Sequence, residues 1–157
     1  AWDTLPPLIA PAIELAKSEG KTLVVETGNG TMVNSNYTAR LLIDQLDAKE
    51  TLKVLWDPGN NCWCHEEAFP AGYNEVKDGY LGHLHIKDVL VDTPRATLEV
   101  KKMGEGQLAN YFDPIANALQ ADRYQGVISL ESVYHPGSGN FEEGFRECIN
   151  LFKKTFS

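Results

Sequence analysis

Cysteine is scarce in this chain. There are three in 157 residues, an odd number without the spacing of a disulfide framework. A disulfide-stapled scaffold is thereby excluded, and a reducing compartment is expected. Positive charge is also short: fourteen Lys and Arg face twenty-two Asp and Glu, for a net charge of −8. Such a chain repels phosphate backbones, so no nucleic-acid partner is expected. Long apolar runs are missing, and none approaches the roughly 20 residues that span a bilayer. No basic segment followed by an apolar stretch opens the sequence. The chain is therefore expected to be cytoplasmic, with no membrane partner. What remains is ordinary globular material, with 43% hydrophobic and 23% charged residues. At this length one domain over residues 1–157 is expected, burying about two-thirds of its unfolded surface.

The patterning alternates between two periods. Leu8 to Glu19 places Leu8, Ala12, Ile13 and Ala16 on one helical face, with Gly20 as the stop. Thr22 to Glu26 is a short apolar run ending in a carboxylate and broken by Gly28 and Gly30. Ser35 caps a helix to Leu46 with Tyr37, Leu41, Leu42 and Leu46 on a shared face. Leu52 to Trp56 is a second run, ending at Asp57 before Pro58-Gly59, and a short helix is expected around Gly72 to Lys77. Leu81 to Ile86 is the third run, leading into Lys87 and Asp88, and Arg95 to Lys102 reads as a small hairpin excursion closed by Gly104-Glu105-Gly106. Asp113 is expected to cap a helix with Pro114 at its first position and with Ile115, Ala118 and Leu119 inward. Gly126 to Leu130 is the fourth run, ending at Glu131, and a last helix carries Phe141, Phe145, Cys148, Ile149 and Phe152 on one face. A helix followed by four strand–helix units implies an α/β fold with a parallel sheet. The strands are apolar on both parities, as when both faces of a sheet are covered.

Each expected strand ends in a residue able to bind a metal: Glu26, Asp57, His85 and Glu131. In parallel α/β proteins ligand sites lie at the carboxyl ends of strands. Three carboxylates and an imidazole gathered there would cost several kcal/mol if dry and unpaired. A divalent cation compensates most simply, and oxygen ligands with one nitrogen suit Mn²⁺, Mg²⁺, Co²⁺ or Zn²⁺. The bland alternative is that Glu26 and Asp57 merely cap helices or accept loop amides. His83 has the inward parity of His85 one layer deeper, and Lys53 the inward parity of Asp57. Lys53 is therefore expected beneath the metal, paired with a carboxylate. Lys87 is expected either to reach a substrate oxygen or to lie on the surface paired with Asp88. Cys62-Trp63-Cys64-His65 is a poor zinc motif without a second cluster, so it reads as a loop over the site mouth. The Gly104-Glu105-Gly106 turn lacks the Lys-Ser/Thr of a phosphate loop.

The strand-end Glu in LVVET, the WDPGN segment, HLHIKD, MGEG before a helix, and RYQGVISLES together resemble the xylose isomerase-like TIM-barrel superfamily, in its sugar isomerase and epimerase branch. The resemblance covers nearly the whole chain but only half of a barrel, which takes roughly 200 residues or more. It implies strands five to eight, the C-terminal half of a (β/α)₈ barrel. A half-barrel exposes two strand edges, so pairing with the missing half or homo-oligomerisation is expected.

By this resemblance Glu26, Asp57, His85 and Glu131 hold one divalent metal, Glu26 and Glu131 are the catalytic acid and base, and the substrate is a small-molecule sugar or polyol that reacts through an ene-diolate. Asn60 stands where many epimerases have a substrate-binding His, and Val91 where they have an Arg. Asn60, Lys87, His83, Trp63 and His135 are the expected substrate-side residues. The competing readings are a dehydratase with the same metal chemistry and a metal-binding half-barrel without catalysis. A repair nuclease is disfavoured by the acidity and by the shortage of extra histidines.

Overall fold

The computed structural model describes residues 2–137 and 139–157. Helix α1 (Leu5–Ser18) leads into strand β1 (Leu23–Glu26), then helix α2 (Asn36–Gln45) and strand β2 (Leu52–Trp56). Helices α3 (Pro58–Trp63) and α4 (Tyr73–Val76) follow, the latter joined to a wide helical turn over Ala68–Gly72. Strand β3 (Leu81–Ile86) runs directly into a hairpin of β4 (Asp88–Asp92) and β5 (Thr97–Lys101). Helix α5 (Phe112–Ala121), strand β6 (Val127–Leu130) and helix α6 (Phe141–Phe156) complete the chain. Strands β1, β2, β3 and β6 form one sheet in that order, parallel throughout. Parallel neighbours with helical crossovers make this an α/β fold, half of a TIM barrel.

The two faces of the sheet differ sharply. Leu52, Val54 and Trp56 of β2 and Leu84 and Ile86 of β3 point outward and are buried. They pack in one core with Leu42 and Ile43 of α2, Ile115 and Leu119 of α5, and Cys148 of α6. Burying each such aliphatic side chain contributes about 1.5–3 kcal/mol, so this layer holds the helices on the sheet. The opposite face carries Val24 and Val127, which are 43% and 59% exposed. In a closed barrel this face is the packed interior. Here it lies open, and among the described residues β1 and β6 each keep one unpaired edge.

Several local expectations are corrected. Helix α1 starts at Leu5 and buries Pro6, Ile13 and Ala16, whereas Leu8 is exposed. Early prolines suit a helix start because the first N–H groups have no intrahelical acceptor. In α2 the buried face is Asn36, Ala39, Leu42 and Ile43, with Tyr37 and Leu41 outward. Asp113 is not a cap: α5 begins at Phe112, with Asp113 and Pro114 inside its first turn. In α6 Gly144 and Cys148 face the core, while Phe141 and Phe145 are exposed. The hairpin gains a first arm, β4, that the sequence pattern hides because it continues β3 without a break. Among the described residues Lys53 pairs with no carboxylate; its Nζ donates to the Gly79 carbonyl at 2.7 Å.

Asp88 anchors the excursion. It is 1% exposed, and its carboxylate accepts hydrogen bonds from the backbone N–H groups of Val89, Gly104, Gly106 and Leu108. Four charge-assisted bonds satisfy a buried carboxylate and explain the Gly104-Glu105-Gly106 turn, since a Cβ on Gly106 would strike the Asp88 carboxylate. The surface pairing of Lys87 with Asp88 is thus replaced by separate roles for the two neighbours. In Asp88→Asn one carboxylate oxygen becomes an NH₂ that faces N–H donors. The expected loss is about 2–3 kcal/mol of unfolding free energy, read from the urea midpoint. An unchanged midpoint would refute the anchoring role.

Candidate metal centre

The carboxyl end of the sheet gathers Glu26, Asp57, His85 and Glu131. One ligand atom from each lies within 4.8 Å of the others. The convergence follows from strand geometry. Side chains alternate across a strand, and the register sets His85 of β3 beside Ser129 of β6, with Glu131 two residues further on the same face. His85 Nδ1 is 3.6 Å from Glu26 Oε1 and 3.7 Å from Glu131 Oε1. Asp57 is fully buried, and its Oδ1 accepts from the N–H groups of Gly59 (2.8 Å) and Asn60 (3.1 Å), capping α3. The helix-cap role expected of this aspartate is therefore present on Oδ1, while Oδ2 is left for the charged groups of the cluster.

Lys87 stands at the centre as well. Its Nζ lies 2.7 Å from Asp57 Oδ2 and 2.7 Å from Glu131 Oε2. Its stem lies against α3 at Gly59, where an added Cβ would meet Lys87 Cγ at 2.9 Å. Only a residue without a side chain admits the lysine, which explains the glycine of the WDPGN segment. Burial pushes the Asp57 carboxyl up to about 6 against the pull of Lys87. Burial also opposes the charge on Lys87 and on Glu131, but their contacts prevail. Asp57 and Glu131 hold Lys87 above the ordinary lysine value, and Lys87 holds Glu131 below the ordinary carboxylate value.

Charge and donor chemistry fit a divalent cation. With all three acids ionised, three carboxylates and one ammonium sum to −2. The donors are hard oxygens with one imidazole nitrogen. Ligand atoms on opposite sides of such an ion stand about 4–5 Å apart, twice the usual bond length. His85 Nδ1 and Asp57 Oδ2 are both buried without an aligned hydrogen-bond partner, Lys87 reaching the latter only as an ion pair. Buried polar atoms are rarely left so, and both belong to residues of the same close cluster.

The remaining expected site residues occupy distinct positions. Asn60 Nδ2 donates to Glu26 Oε1 (3.2 Å) and to the Thr27 carbonyl (2.9 Å), tying α3 to the end of β1. His83 lies one layer below, its Nε2 2.7 Å from Ser129 Oγ and its ring edge-on to His85 at 5.0 Å. Burial, then the neighbouring His85, lowers its pKa. Trp63 ends α3 and lines a cavity of 410 Å³ beside the hairpin. His135 stands outside the four-residue cluster, edge-on to Phe141 at 5.4 Å. Burial raises both thiols nearby, Cys62 to about 11, so neither is a ready thiolate. Among the described residues Cys62, Cys64 and His65 do not converge on a common point.

Comparison with known proteins places this geometry. The chain superposes on 3-keto-D-glucoside 4-epimerase, YcjR, from E. coli with a TM-score of 0.71 and 21% identity, over 96% of this chain and 52% of that one. A xylose isomerase-like TIM barrel protein from Mycobacterium smegmatis, solved in complex with magnesium, gives 0.68 and 20% identity over 99% and 51%. The probable 3-DHS dehydratase AsbF from Bacillus anthracis gives 0.71 and 16% identity over 94% and 55%. At such identities the likeness is one of fold, and the chain spans about half the length of these structures. No curated protein matches significantly in sequence. The sequence itself matches the xylose isomerase-like TIM barrel family over residues 1–155. With a match over nearly its whole length, the chain belongs to the xylose isomerase-like TIM barrel family.

Proposed function

We propose that this chain is the C-terminal half, strands five to eight, of a divalent-metal-dependent isomerase or epimerase acting on a sugar or polyol through an ene-diolate. The observation that carries the reading is the approach of four ligand atoms, three carboxylate oxygens and one imidazole nitrogen, within 4.8 Å at the strand ends. When bound, the cation supplies positive charge that acidifies the C–H beside a substrate carbonyl and stabilises the resulting oxyanion. Asp57 and His85 would hold the cation, with Glu26 and Glu131 completing the set. Glu26 and Glu131 also move the protons, one removing it from carbon and the other returning it on the opposite face. Lys87 holds Glu131 ionised and ready to accept a proton, and Asn60 orients Glu26. His83, Trp63 and His135 complete the proposed substrate side. Dehydration by the same chemistry is the second reading, supported by the fold likeness to the probable 3-DHS dehydratase.

The activity is assigned to the barrel as a whole. The open inner face and the free edges of β1 and β6 support pairing with a complementary half, or with a second copy. A cytoplasmic role in carbohydrate metabolism agrees with three free cysteines and with the absence, among the described residues, of any helix long and apolar enough to cross a membrane.

Calorimetric titration with Mn²⁺ tests the centre: one ion should bind per chain, and Glu131→Gln should weaken it by at least about tenfold. In the complete barrel the same change should lower turnover by on the order of 100-fold or more, and EDTA should abolish it. Equal binding and turnover in the variant would sink the assignment. Lys87→Met leaves three acids together without their cation, so in EDTA its melting temperature should fall below that of the parent chain, and Mn²⁺ should restore most of the difference. A melting temperature unaffected by the substitution would show that Lys87 carries no such charge. Light scattering at high concentration should return a mass above the 17.4 kDa of one chain; a strict monomer would count against pairing.

A further inference from the structure

Glu131 faces two ways. Its Oε1 lies 3.7 Å from His85 Nδ1, which is itself 3.6 Å from Glu26 Oε1. Its Oε2 lies 2.7 Å from Lys87 Nζ, which is also 2.7 Å from Asp57 Oδ2. The cluster therefore has two poles that share one carboxylate. At the first pole an imidazole nitrogen stands between two acid oxygens. At the second an ammonium does. A carboxylate can lend one oxygen to each of two cations, and two-metal centres hold their ions only about 3.5–4 Å apart.

The second pole is filled by the protein itself, and its occupant is held in place. The Lys87 stem lies against α3, where a Cβ on Gly59 would meet its Cγ at 2.9 Å and its Cε at 3.0 Å. The Lys87 side chain is 12% exposed and that of Asp57 is fully buried. Swinging the ammonium away would strip Asp57 Oδ2 of its ion pair, and that oxygen has no hydrogen bond to fall back on among the described residues. An ammonium is a compact point charge, so it stands where a small cation would stand. Charge agrees. With the acids ionised, three carboxylates, one ammonium and one divalent ion sum to zero. A second divalent ion beside the lysine would leave two surplus positive charges in a half-dry site, where like charges repel strongly. Without the ammonium, one ion leaves a negative charge over, with Asp57 Oδ2 and Glu131 Oε2 uncompensated.

We infer, resting on the metal-centre reading above, that the Lys87 ammonium occupies the second cation position of a latent two-metal site and so limits the centre to one ion. Lys87 is then a specificity residue, because it decides how many ions the centre takes. Paired ions clamp the attacking and leaving oxygens of an in-line displacement at phosphorus. A single ion beside a fixed ammonium lacks that clamp and is suited to polarising one carbonyl. The lysine thereby turns the strand-end cluster away from phosphoester hydrolysis.

The test uses the protein in its paired, full-barrel state, with Mn²⁺ as the probe and with calorimetry and electron paramagnetic resonance as readouts. The parent should bind one ion per chain, up to millimolar Mn²⁺, and give the spectrum of an isolated ion. Lys87→Met and Lys87→Gln both remove the charge, and in each the count should rise from one to two. The second ion should bind more weakly than the first, and the spectrum should become that of a spin-coupled pair. Circular dichroism reports whether each variant is folded, and Lys87→Gln, which keeps a polar tip, carries the test if Lys87→Met does not fold. A purely structural lysine would leave the count at one. One ion or none in the folded neutral variants overturns the inference, and so does a second ion in the parent; in either case a parent that binds Mn²⁺ leaves the metal-centre reading standing. A parent that binds no ion sinks that reading, and the inference with it.

Discussion

A single buried ammonium governs the carboxyl end of this sheet. Lys87 lies within 2.7 Å of oxygens on both Asp57 and Glu131, and without it three acids would share a small volume with no fixed positive charge. Like charges at such separations in a partly dry setting repel strongly. The lysine makes the assembly tolerable in the absence of metal but leaves a deficit of two charges. That residual charge, with an imidazole nitrogen within 3.7 Å of two of the acids, gives the site its chemical character. The narrow passage over Gly59 through which the lysine enters shows that the surrounding backbone is shaped to it.

Much of the fold was legible because it depends on short-range periodicity. The four strand runs, their order and their acidic or imidazole ends can be read residue by residue, and so can the Ser35 cap. The misreadings have a common cause. Tyr37, Leu41, Phe141 and Phe145 are apolar and correctly spaced for a core face, yet small residues beside them, Ala39 and Gly144, face inward instead. Close approach of helix to sheet or loop selects small side chains, and hydrophobic spacing cannot reveal that. At Gly144 the backbone of Tyr134 occupies the space a Cβ would need.

The candidate site divides in the same way. The four ligand positions follow from strand parity, which is local. The roles of Lys87 and Asp88 do not, because adjacent residues at the end of β3 send their side chains to different places. Lys87 enters the centre, while Asp88 turns away to collect three amide hydrogens from a loop sixteen to twenty residues later, besides that of Val89. Such a long-range bond leaves one trace in sequence, the paired glycines at 104 and 106, and these need the tertiary partner to be interpreted.

The division of labour within Asp57 has an evolutionary corollary. One oxygen starts a helix and the other faces the lysine. An asparagine could serve the helix but not the charges, and a glutamate would move the carboxylate beyond reach of the amides. Position 57 is therefore frozen by two unrelated demands at once. Selection on the fold alone would keep the aspartate, so its persistence in a sequence is weaker testimony to function than the persistence of Glu131, which caps no helix among the described residues.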